Sequence, residues 1–173
     1  VDSKPITLPK PHSIMNSEGY RSRNSPTDSV EEAKTIAEIV QAEVAREVEQ
    51  ITARFFADRR SGRLDLGAAE FEVRAAMHTV GSVLLEQLLN ADHGGQSGPR
   101  LACGHGHEAE FVDYRTKHLQ TILGDVHIRR AYYYCGQCPE ARGRGVIPKD
   151  QELDVVGTSF SPGLRRLMAR IGA

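Results

Sequence analysis

All three cysteines of this chain fall in one short region: Cys103, then Cys135-Gly-Gln-Cys138 about thirty residues later. His105 and His107 stand beside the first of them. A structural zinc takes four ligands at the corners of a tetrahedron, and a Cys-x-x-Cys turn presents two thiolates from one knuckle. Cys103 supplies a third ligand. His107 is favoured as the fourth, because a three-residue gap lets its ring converge with Cys103, and His105 is the alternative. The expected site is therefore Cys103, His107, Cys135 and Cys138 around a structural zinc. A redox Cys-x-x-Cys would sit in a thioredoxin-like βαβ pattern, which is missing here. A zinc hydrolase would need an open coordination position and a paired base, and no His-Glu-x-x-His run occurs. The pattern points to a metal-stapled recognition module in the C-terminal half.

The odd cysteine count argues against a disulfide framework and for reduced thiols, hence a cytoplasmic setting. No apolar run approaches the length of a membrane span, so no membrane partner is expected. Net charge is −1, unevenly spread. Residues 1–99 carry 11 Lys/Arg against 15 Asp/Glu, and residues 100–173 carry 11 against 8, so the cysteine side is the basic side.

Residues 1–28 hold Pro5, Pro9, Pro11 and Pro26 with many polar residues, and read as a disordered tail. Asp28 or Ser29 then caps a helix with Glu31 and Glu32 in its first turn. Its apolar stripe runs through Val30, Ala33, Ala37, Val40, Val44, Val48, Ile51 and Phe55, and the helix ends near Gly62. A second helix is expected from Leu66 to about Ala91, capped by Asp65. The two form a hairpin over residues 29–92, with a homodimer seam as one use of the stripe. Residues 92–99 read as a flexible linker.

From Arg100 the period changes to two. Glu108 to Tyr114 alternates loosely, Lys117 to Ile122 reads as a strand, and Leu123-Gly124-Asp125 as a turn. Val126 to Tyr134 is the returning strand, with Val126, Ile128, Arg130, Tyr132 and Tyr134 on one face. Ser161-Pro162 opens a last helix to Ile171. The expected fold is α+β: a helical hairpin, a small zinc-ribbon-like β module over 100–157, and a short helix within 158–173. Arg115, Lys117, Arg129 and Arg130 cluster along the strand hairpin among tyrosines, a mix suited to the phosphates of DNA. Arg142, Arg144, Arg165, Arg166 and Arg170 add charge nearby.

The run from Tyr114 to Cys135 resembles a stretch of the ISKra-type insertion-sequence transposases. The shared skeleton is Arg115 with Lys117, Thr121 with Gly124, Arg130 with Tyr132 and Tyr133, then Cys135 and Cys138. A Gly-x-x-Pro-x-Asp step (Gly145, Pro148, Asp150), the Ser161-Pro162-Gly163 start and the Leu84–Leu89 helix end extend it over roughly residues 65–173. Pro139–Arg142 is extra sequence relative to that pattern. The resemblance implies the N-terminal, DNA-recognising part of a transposase that acts on the ends of its element. It also implies a later RNase H-like domain using Mg²⁺ held by carboxylates, none of which is assignable here. The other class of reading is a zinc-ribbon adaptor that binds a protein partner through its helices.

Overall fold

The structure, a computed structural model, describes residues 26–92, 94–139 and 145–172. The expected tail lies outside this range except for its last three residues. Helix α1 spans Pro26–Arg60 and begins before the expected cap. Its first residue, Pro26, has φ preset for a helix, and its missing N–H is one the first turn leaves unbonded anyway. Helix α2 spans Leu66–Asn90, and the Asp65 carboxylate caps it by accepting from the Ala68 N–H at 3.2 Å. The two helices pack antiparallel along Ile36, Val40, Ile51 and Phe55 of α1, all half-buried. The stripe read from the sequence splits here, because Val30, Val44 and Val48 stay exposed. No helix among the described residues is long and apolar enough to cross a membrane.

Four antiparallel strands follow in the order β1-β2-β3-β4: Arg100–Ala102, Glu108–Thr121, Gly124–Tyr134 and Gly145–Val146. Helix α3 (Pro148–Glu152) and helix α4 (Pro162–Ile171) complete the fold. The Ser161 hydroxyl caps α4 by accepting from Leu164 N–H at 3.1 Å. Strand β2 runs unbroken through the expected gap at Arg115 and Thr116. The turn sits one residue earlier than expected, at Ile122-Leu123, with Thr121 paired to Gly124. The Thr121 hydroxyl fixes it by donating to Gly124 O and accepting from Leu123 N–H.

Burial in β3 alternates as expected and then changes sides. Val126, Ile128 and Arg130 are buried, and then Ala131, Tyr133 and Cys135. Each face of the sheet is covered at one end only. Near the turn, one face packs Leu119, Val126 and Ile128 against Val155, with Leu85 and Leu89 of α2 alongside. Near the cysteines, the other face packs Ala109, Ala131 and Tyr133 with Leu101, Phe111 and Val146. A bulge at Val112, between the pairs Phe111–Tyr133 and Asp113–Tyr132, puts Phe111 and Tyr114 on that second face.

The outer edge of β3 is covered by side chains and loop rather than by a strand. Glu86 accepts from His127 N–H at 2.7 Å. Asn90 donates to His127 O at 2.8 Å and accepts from Arg129 N–H at 2.7 Å. Gly94 O accepts from Ala131 N–H at 2.8 Å, after which β4 takes over at Tyr133. The segment expected to be a flexible linker is thus tied to the sheet. The Tyr133 hydroxyl fastens it further, donating to Gly98 O and accepting from Ser97 N–H.

Candidate metal centre

The four expected ligands come from two neighbouring turns. Cys103 to His107 form the loop between β1 and β2, closed by Cys103 N–H donating to His107 O at 3.0 Å. Gly104 and Gly106 have φ of +81° and +83°, a region that disfavours any side chain, and this folds the loop back on itself. Cys135 follows the last residue of β3, and Cys138 comes three residues later. Because Glu110 pairs with Tyr134, the end of β3 lies directly beside the start of β2 and its loop.

The ligand atoms of Cys103, His107, Cys135 and Cys138 all lie within 4.8 Å of one another. Cys103 Sγ is 3.6 Å from Cys138 Sγ, and His107 Nδ1 is 3.6 Å from Cys138 Sγ and 4.0 Å from Cys135 Sγ. A tetrahedron with metal–sulfur bonds of 2.3 Å and metal–nitrogen bonds near 2.0 Å has edges of about 3.8 Å and about 3.6 Å. The four atoms therefore stand close to the corners that a bound ion needs, and the group could hold one. His105 is exposed, and its Nδ1 lies 3.5 Å from Cys138 Sγ. His107 is half-buried and reaches two thiols, which makes it the fourth corner.

The thiols are not equivalent. Backbone N–H groups of His105 and then His107 donate to Cys103 and hold its pKa down at about 6. Burial pushes Cys138 up to about 12, with Cys135 and Cys103 adding to the shift. Such N–H donation favours thiolate at one corner, and a cation would favour it at all three.

The four basic residues expected at phosphates divide into two pairs. Lys117 and Arg130 turn inward. Arg130 Nη1 donates to both Asp150 carboxylate oxygens, at 3.0 and 2.8 Å, and Lys117 Nζ donates to Asp150 Oδ2 at 3.1 Å and to Val155 O. All three side chains are nearly buried, so Lys117 and Arg130 hold the protein together where a phosphate contact was expected. Arg115 and Arg129 stay outside. The Arg115 guanidinium lies 3.4 Å over the Tyr132 ring, and that of Arg129 lies 3.6 Å over Tyr114, on the opposite face. Arg166 and Arg170 are exposed on α4, while Arg165 is held by Asp154. Arg142 and Arg144 lie outside the described residues.

Asp150 was visible in the sequence only as the end of the Gly-x-x-Pro-x-Asp step. Its neighbours there are structural too. Pro148 opens α3, and a side chain at Gly145 would meet the Tyr132 ring at 2.7 Å. Comparisons with protein-family models, with curated proteins and with solved structures found no match.

Proposed function

We propose that the chain is a zinc-stabilised DNA-binding module, the N-terminal portion of an ISKra-type transposase that recognises the ends of its element. The observation that carries this reading is the closed Cys₃His cluster, with all three thiols buried, beside a sheet with guanidinium groups laid on tyrosines. Three thiolates and one imidazole suit zinc, and a full set of protein ligands is the mark of a structural site. Bound there, zinc would tie the β1–β2 loop to the end of β3. Arg115 and Arg129, joined by Arg166 and Arg170, are the phosphate contacts of this proposal. Guanidinium groups stacked on rings have less freedom to lose when a phosphate arrives.

Metal content tests the first half. The purified chain should carry about one zinc, and Cys135→Ser should lose it; a folded chain free of metal overturns the zinc assignment. Binding to duplex DNA across a salt series tests the second. Affinity should fall steeply with salt, and Arg115→Ala and Arg129→Ala should each lower the logarithmic slope by about 1. No measurable DNA binding at low salt, with zinc in place, overturns it.

The exposed apolar flank of the helical hairpin favours a second reading, an adaptor that binds protein through its helices. Association that is indifferent to salt, without DNA binding, would select it.

A further inference from the structure

The three thiols of the candidate metal centre are out of reach of solvent. Cys135, Cys138 and Cys103 are 0%, 1% and 9% exposed. An ion bound by them needs a way in and out, and one of the two ligand turns has to provide it. The turn between Cys135 and Cys138 is exposed at Gly136 and Gln137, neither of which offers a thiol or an imidazole. The β1–β2 loop offers one.

That loop is fixed at its ends and open at its tip. Ala102 pairs with Glu108, and Cys103 N–H donates to His107 O at 3.0 Å. Between them stand Gly104, His105 and Gly106, all exposed. Both glycines have positive φ, and a side chain built on either would meet nothing within 4 Å. A glycine on each side gives His105 a backbone with a wide range of conformations. His105 nevertheless touches the cluster twice. Its backbone N–H donates to Cys103. Its ring Nδ1 is 3.5 Å from Cys138 Sγ, as near as the 3.6 Å of His107 Nδ1. Cys103 Sγ and Cys138 Sγ are 3.6 Å apart, so His105 lies across that pair. It is a further donor beside the four that fit a tetrahedron, with one side in solvent and the other against a buried thiol.

We infer that His105 is the port ligand of this site: it takes the ion up from solvent, yields it to His107, and takes it back on release. One imidazole replaces the other while the thiolates keep hold. Both histidines bind as neutral rings, so the exchange leaves the charge of the site unchanged and moves no net proton. The inference rests on the zinc reading, but it concerns the rate of exchange, where that reading concerns occupancy.

Transfer of zinc from the full chain to the coloured chelator 4-(2-pyridylazo)resorcinol tests it, after zinc content has been measured. His105→Ala keeps the backbone N–H that Cys103 uses. It should still carry about one zinc and should release it at least about tenfold more slowly. An unchanged rate overturns the inference, and so does faster release, which would make His105 a shield. Loss of zinc from His105→Ala also overturns it, because His105 would then be a standing ligand. Cobalt(II), whose visible absorption reports a tetrahedral thiolate site, supplies a second arm. His107→Ala should keep that absorption with His105 at the fourth corner, and adding His105→Ala should weaken binding at least about tenfold further. Equal binding by the single and double variants overturns the inference, because His105 then never reaches a corner. A folded wild-type chain without zinc overturns the zinc assignment and this inference together. A zinc-loaded chain whose exchange ignores His105 overturns this inference alone.

Discussion

Asp150 sits where two cations would otherwise be stranded. Its carboxylate takes Arg130 from one strand and Lys117 from the next, nearly out of solvent. Removing one partner of a buried ion cluster leaves charge without compensation, a cost of about 3–5 kcal/mol. Asp150→Ala should therefore lower stability to urea by that amount, and Asp150→Asn by somewhat less. A loss under about 1 kcal/mol would mean that water already reaches the pair. The same cluster shows what composition hides. Arg115, Lys117, Arg129 and Arg130 are alike as charges, and spacing gave no way to know that a carboxylate twenty residues further on claims two of them. The cysteines were more legible, because ligand chemistry limits them to one use, and the structure gathers Cys103, Cys135 and Cys138 with His107.

Among the elements, the exposed edge of β3 is the place where an isolated hairpin would pair with another chain. Asn90 covers two backbone groups there, and Glu86 a third. Asn90→Ala should cost about 1–3 kcal/mol, the range for leaving partners unsatisfied. It should also raise hydrogen exchange at Arg129, whose amide Asn90 holds. An unchanged exchange rate at Arg129 would show that the helix does not guard the edge. Periodicity gave α2 and its Asp65 cap almost to the residue, and it named correctly which β3 residues share a face. It could not say which face is buried, since each is covered at one end by segments distant in sequence. The turn slipped by one residue for a local reason, the Thr121 hydroxyl closing a two-residue loop at Ile122-Leu123.

At the scale of the molecule, the sheet has two small cores on opposite faces and at opposite ends. The turn end leans on α2 and on Val155; the cysteine end has its own strands, the four ligand side chains and the segment around Gly94 to Pro99, which is hydrogen-bonded to Ala131, Tyr133 and Phe111. A core that small would gain stability from the cross-link that a metal held by the four ligand side chains would make between the β1–β2 loop and the end of β3. Stripping metal with a chelator should therefore loosen one end first. Amides over 109–111 and 131–135 should exchange at least about tenfold faster, while Leu119, Val126 and Ile128 keep their protection. Equal loosening at both ends would mean that the sheet opens as one unit and that α2 does not stabilise the turn end independently. No change at either end would mean that the cysteine core stands without metal. The unequal outcome is expected because the residues that bury Tyr133 and those that bury Ile128 share only the strand between them.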